Sequence, residues 1–297
     1  MIPVLLGVTL ITFTLTYIAP GCPARVALGE AASPEAIASE RARMGLDDPF
    51  FVQYGRFLQG LIRLDFGRTL SGQRPVFDEI IIRFPTTMQL AGMSVALALL
   101  IGIPLGIISA TRQYTIFDMG ANFVGLMGVS IPNFWLGMIL LITFSVNLGL
   151  LPVMGFETWR HWILPTLTIG TSSSAAIMRM TRSSMLEVIR QDYIRTARSK
   201  GQTERKIIFK HALKNALLPV TTVAGLQFGF LLGGAILTET IFAINGVGRF
   251  MFQAIGQREH PIILGVAFLL AVTFSVVNLL VDLLYAFIDP RIRSQYS

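Results

Sequence analysis

The chain has 297 residues, a formal charge of +7, 53% hydrophobic and only 14% charged residues, against about 25% charged in soluble domains. With a mean hydropathy of +0.64, it is too apolar for an ordinary soluble domain and points to lipid as its solvent. The lone cysteine, Cys22, excludes an intramolecular disulfide framework or a cysteine-based zinc cluster, and no nucleic-acid motif accompanies the basic charge.

A membrane helix takes about 20 mostly apolar residues. Six runs qualify, at 1–19, 87–110, 119–147, 165–182, 217–238 and 263–287. The expected fold is an all-α integral membrane protein. It divides into a first span (1–19), a long external loop or subdomain (20–86), and a core (87–297) that carries five more spans and a cytoplasmic loop at 183–216. Cys22 follows Ala19, Pro20 and Gly21, faintly like a lipoprotein cleavage site. Pro20 fits that poorly and 1–19 has no basic flank, which favours a retained first span.

In the external segment 20–85, eight basic and eight acidic residues cancel. Ser33 is a candidate helix N-cap with Pro34 behind it, and Gly45 a candidate stop. Asp48 and Pro49 repeat the start signal, followed by Phe50, Phe51, Tyr54, Phe57, Leu58, Leu61 and Ile62 at helical spacing. Such a stripe packs on the spans or the outer leaflet, or else receives a delivery protein; packing is the commoner fate.

In the third span Pro132 removes a helix hydrogen bond, so a kink or break is expected near Ser130. It either borders a transport pathway or serves packing. Thr171, Ser172, Ser173 and Ser174 dilute the fourth run, as suits a helix buried among helices. Gly225, Gly229 and Gly233 form a bare stripe for close helix approach. Asp282 is the main acid within the spans, near the inner end of the last one, where it has either a functional or a structural, arginine-paired role.

Ten basic residues, Arg179, Arg182, Arg190, Arg195, Arg198, Lys200, Arg205, Lys206, Lys210 and Lys214, stand against three acids, Glu187, Asp192 and Glu204. This stretch therefore holds the whole net charge and reads as a cytoplasmic loop, placing both termini in the cytoplasm. A helix is expected over about 184–200, stopped by Gly201 in a left-handed conformation, and a second over about 203–217. The bland alternative is a basic loop that only sets topology. No catalytic constellation is present. His161, His211 and His260 fall on different loops, and no phosphate-cradling G-x-x-x-x-G-K-[ST] motif occurs.

The loop reads Asp192-Tyr-Ile-Arg-Thr-Ala197-Arg-Ser-Lys-Gly201 and continues to Pro219. With Leu46-Asp47-Asp48-Pro49, Ser130-Ile-Pro-Asn-Phe-Trp135, Leu151-Pro-Val-Met-Gly155, Thr238-Glu-Thr-Ile-Phe242, Gly246-Val-Gly-Arg249 and Asp289-Pro-Arg-Ile-Arg293, it closely resembles the membrane permease subunit of bacterial ABC importers. More narrowly, it resembles the dipeptide/oligopeptide/nickel branch, which includes glutathione importers. Cys22 stands where that branch commonly has aspartate.

The resemblance implies a type I ABC importer permease fold in the bacterial inner membrane, carrying short peptides, with nickel as a less attractive cargo. It makes Asp192, Tyr193, Arg195, Ala197, Arg198 and Gly201 the coupling helix that docks on an ATPase. The implied partners are a second related permease, two ATP-binding subunits that hold ATP and magnesium, an extracytoplasmic substrate-binding protein and the lipid bilayer. The chain itself would need no cofactor, metal or nucleic acid and would be no enzyme. The rival class is a self-contained, ion-gradient-driven carrier or channel.

Overall fold

A backbone surrounded by lipid must satisfy its own hydrogen bonds, and helices do so within one segment. The computed structural model, which describes residues 1–29 and 31–288 with side chains to position 283, is accordingly helical, with one isolated bridge, Arg68 to Pro75, among the described residues. The motif at 289–293 lies outside the described residues.

In chain order come α1 (Ile2–Ile18), α2 (Pro23–Leu28), α3 (Pro34–Arg43), α4 (Phe50–Ile62), α5 (Val76–Thr111), α6 (Ile116–Ser130) and α7 (Asn133–Leu140). The last continues as a π-helical stretch, Leu141–Asn147. Next are α8 (Trp159–Ile189), α9 (Asp192–Ser199), α10 (Glu204–Lys206), a second π-helical stretch (Ile207–Ala212) and α11 (Leu213–Gly234). The described chain closes with α12 (Ile236–Ile241), α13 (Val247–Gln257) and α14 (His260–Ile288).

Three helices are long and apolar enough to cross a membrane, Val76–Thr111, Glu204–Gly233 and His260–Leu283; α6 and α7 reach that standard as a pair bent by 97°. Of the other expected spans, α1 is apolar but only 17 residues long, and α8 has 31 residues and a more polar composition.

The chain divides into two units, residues 1–88 with 243–275, and residues 89–242 with the remainder. In the first, Ser33 caps α3 by accepting the Ala36 N–H at 3.2 Å, and Gly45 follows that helix at φ +66°. Asp48 does not cap α4, because Pro49 takes that position; its carboxylate pairs with Arg56 instead. The aromatic stripe of α4 packs on α1. Phe13 lies 5.4, 5.3 and 5.5 Å from the rings of Phe50, Tyr54 and Phe57. Phe51 and Ile62 belong to the same sequence pattern but are 81% and 85% exposed, so the stripe is only partly buried. Leu61, Phe66, Val76, Ile80, Val247 and Val266 form the apolar core beneath. Buried Glu259 ties down the loop before α5 by accepting the N–H groups of Leu70 and Ser71 at 2.6 and 2.8 Å.

The second unit is built around α8, which packs on α6, α7 and α11. Much of its polarity is absorbed internally, although Thr166 Oγ1 is buried with no hydrogen-bond partner among the described residues. Thr168, Thr171, Ser172 and Ser174 donate to carbonyls of their own helix at 2.6–2.9 Å, so each hydroxyl enters the interior satisfied. Close approach comes from glycines the sequence reading passed over. A Cβ on Gly102 of α5 would lie 2.7 Å from the Ser174 carbonyl, and one on Gly106 would lie 2.5 Å from Thr181. In the expected stripe on α11, a Cβ on Gly225 would meet Val281 of α14 at 2.0 Å and Gly229 is buried, but Gly233 is exposed with nothing within 4 Å. The close packing therefore ends before Gly233.

Two helix boundaries also differ from expectation. The helix expected at 184–200 is broken at Arg190 and Gln191: α8 runs on to Ile189, and α9 starts afresh from Gln191 in an extended conformation. The helix expected to end at 217 instead continues to Gly234 through Pro219. A membrane helix tolerates an internal proline because its neighbours re-satisfy the freed backbone.

Gly106→Ala is expected to destabilise the purified protein by about 1–3 kcal/mol through overpacking. Gly233→Ala should be neutral or slightly stabilising, since alanine is the better helix former. Thermal unfolding in detergent compares the two.

Candidate functional site

The basic loop builds its structure around one apolar side chain. Arg190 ends α8, Gln191 turns the chain, and α9 presents Ile194, fully buried, to Ile107 and Ala110 of α5, Met185 of α8, and Ile207, Ala212 and Ala216 further along. Burying an isoleucine side chain stabilises the arrangement by about 1.5–3 kcal/mol. Ala197, one turn on, is half-buried against the same cluster.

The remaining expected residues surround this anchor. Asp192 and Arg195 are exposed and 4.0 Å apart. Tyr193 is 43% exposed and accepts a hydrogen bond from the Asn215 amide at 2.7 Å. Arg198 reaches forward to Glu204, donating to both carboxylate oxygens at 2.7 and 3.2 Å. Gly201 sits at φ +75°, the left-handed region that glycine enters at little cost, and its N–H bonds the Arg198 carbonyl at 2.9 Å. His211 and Gln202 meet at 2.8 Å. The result is a short helix held at both ends, with Asp192, Tyr193, Arg195, Thr196 and Ser199 uncovered.

Among the ten basic residues assigned to the loop, Arg179 and Arg182 lie within α8. Arg182 bonds Asp118 through Nε and Nη2, each at 3.1 Å, and its Nε also bonds Ser109 Oγ at 2.9 Å. Asp118, in the first turn of α6, also accepts from Ser109 Oγ at 2.5 Å, the Tyr114 N–H at 3.0 Å and the Asn122 amide at 2.6 Å. Asp118 is 4% exposed and Ser109 fully buried. This cluster joins α5, α6 and α8 about one helical turn from the Ile194 seat. Sequence reasoning passed over it because Asp118 stands just outside the expected third span. Asp282, the acid singled out instead, is exposed.

The break at Ser130 and Pro132 is present. Ser130 ends α6 with its hydroxyl on the Leu126 carbonyl at 2.9 Å, and Pro132 opens α7. Beside Pro132 is a cavity of about 360 Å3. A larger one, about 820 Å3, occupies the first unit, but its arginines 41, 43 and 56 are already paired with Asp47, Glu40 and Asp48. Cys22, near that cavity, has Arg41 Nη1 at 3.7 Å from its sulfur. Burial would push its thiol up, but the Arg25 N–H and the Arg41 guanidinium outweigh it and hold the thiol below its ordinary value.

The chain matches the family described as binding-protein-dependent transport system inner membrane component over residues 102–294, and the corresponding N-terminal family over residues 1–91. It is 44% identical to the dipeptide transport system permease protein of Alkalihalophilus pseudofirmus, covering 99% of this chain and 96% of that one. It is 42% identical to the glutathione transport system permease protein of Salmonella paratyphi A, with the same coverage. Among solved structures, an inward-facing chain of the MetNI methionine ABC transporter superposes with a TM-score of 0.57 at 20% identity, covering 71% of this chain and 96% of that one.

Arg182→Met is expected to destabilise the fold by about 3–5 kcal/mol, because it leaves the Asp118 carboxylate buried without its counter-charge. The double variant Asp118→Ala/Arg182→Met should recover most of that loss. Thermal unfolding of the singles and the double forms the cycle that decides it.

Proposed function

The chain belongs to the inner membrane components of binding-protein-dependent transport systems, and on that premise we propose that it is the transmembrane subunit of an ATP-driven importer of short peptides. The observation that carries the reading is α9: an eight-residue helix anchored by Ile194 to residues of α5 and α8, with its polar side uncovered. A soluble ATPase that grips that side can move the helix ends beneath it. Similarity to dipeptide and glutathione permeases along nearly the whole chain supports peptides as cargo.

The working cycle is alternating access. ATP draws two ATPase subunits together and α9 with them, the spans rock open to the outside, and a binding protein releases peptide into the cavity. Hydrolysis restores the inward-facing state. Nucleotide chemistry resides on the partners, and a second, related permease completes the pathway. We assign six spans, with α1 and α8 among them, both termini in the cytoplasm and 20–86 outside. That orientation follows from the basic residues around α9. A ligand moves such an equilibrium only through unequal affinity for the two states; here that preference is delivered through α9.

The complex purified with its partners and placed in liposomes should take up a labelled dipeptide only with ATP and the binding protein. Uptake by this chain alone on an ion gradient would overturn the reading in favour of a secondary carrier, and ATP-driven nickel uptake would shift it to a metal importer. Gly201→Pro forces φ from +75° to about −65° and removes an N–H donor; Arg198→Glu sets two carboxylates together at Glu204. Both variants are expected to hydrolyse ATP without importing peptide, and normal uptake by both would contradict the role of α9.

A further inference from the structure

The cavity beside the broken helix takes polar residues from three helices. Pro132 and Asn133 border it from the break, Ser172, Ala176 and Arg179 from α8, and Gln227 from α11. Arg179 stands three residues before Arg182 on α8, yet the two arginines are used differently. Arg182 is matched by Asp118. Arg179 is exposed, and none of the ion pairs among the described residues includes it.

A guanidinium cannot shed its proton to escape this situation. On a helix set in a bilayer it must face water, an anion or a polar group of a partner chain, and such a residue is by default functional. The other polar groups on the cavity wall are neutral amides and a hydroxyl. The Ser172 hydroxyl is already engaged by the Ile169 carbonyl, whereas the amides of Asn133 and Gln227 make no hydrogen bond among the described residues. The wall therefore offers one fixed positive fork and two amides, each able to donate and accept, with apolar surface from Pro132 and Ala176.

We infer that Arg179 receives the carboxylate of a short peptide on its way through the protein, with the amides of Asn133 and Gln227 meeting the peptide backbone. This inference deepens the importer reading and rests on it. A guanidinium fork matches the two oxygens of a carboxylate. A free peptide terminus is the one carboxylate that every short peptide carries whatever its side chains, so the contact holds a varied set of cargoes in one orientation. The cavity volume, about 360 Å3, is at the small end of ligand pockets.

Two arms test it, both on the assembled transporter in phosphatidylcholine vesicles, whose headgroups carry no net negative charge. In the first, ATP-driven uptake of dialanine is compared between the parent, Arg179→Gln and Arg179→Lys, each with its ATPases and binding protein shown to co-purify. Arg179→Gln should be slower by about tenfold, the loss of one charge-assisted hydrogen bond, with Arg179→Lys between the two. Equal uptake by the parent and Arg179→Gln would overturn the inference, whereas absence of uptake by the parent would sink the importer reading itself.

The second arm needs no transport. In a Cys22→Ser background, Ser172→Cys places a thiol on the cavity wall. Anionic sulfonatoethyl methanethiosulfonate should label it faster than cationic trimethylammonioethyl methanethiosulfonate, and Arg179→Gln should reverse or erase that order. An order indifferent to Arg179 would show that its charge does not act in the cavity and would overturn the inference whatever the uptake result.

Discussion

The buried meeting of Asp118 and Arg182 is the constraint on which the second unit depends. Taking a carboxylate and a guanidinium out of water is costly, and their attraction repays this only when geometry and further hydrogen bonds are right. Here Ser109, Asn122 and the Tyr114 N–H complete the carboxylate's shell. Of the carboxylate's four partners, Ser109 and Arg182 come from α5 and α8, so the pair ties those two helices to the start of α6. The apolar seat of Ile194 uses residues of α5 and α8 that neighbour the pair along the chain.

The glycines of α5 set how near those helices come. Gly102 and Gly106 bring the α8 backbone within reach, and the hydroxyls of α8 avoid conflict by bonding within their own helix. A central helix rich in serine and threonine is then no contradiction in a membrane protein. The hydroxyls of Thr168, Thr171, Ser172 and Ser174 are already bonded when the neighbouring helices arrive, and the small side chains let them arrive closely.

Local signals in the sequence were read well where the cause lies within a few residues. Ser33 and Gly45 bound α3, Pro132 breaks the third span, and Gly201 turns left-handed. Other features depend on partners far along the chain. Asp118 looks like an ordinary loop acid until Arg182, 64 residues later, is folded beside it. Arg179 and Arg182 count toward a loop when only charge is summed, because charge density does not show where a helix ends. The Gly102 and Gly106 pair was visible as a four-residue repeat, but the more regular series at Gly225, Gly229 and Gly233 drew attention although its last member packs on nothing. The apolar face of α4 was legible as a stripe, yet periodicity could not tell that Phe51 and Ile62 would stay exposed, since it does not show how much of a stripe a neighbour covers.

The brevity of α9 has a consequence for its dynamics. Eight residues are too few for a helix to persist alone in water, so its order is borrowed from the pocket that holds Ile194. Unseating that side chain, together with loss of the Arg198–Glu204 and Tyr193–Asn215 contacts, would release the segment as a separate folding unit. Amide hydrogen exchange across 196–199 would then run far faster than in the helices above and slow sharply once a protein surface closes over it.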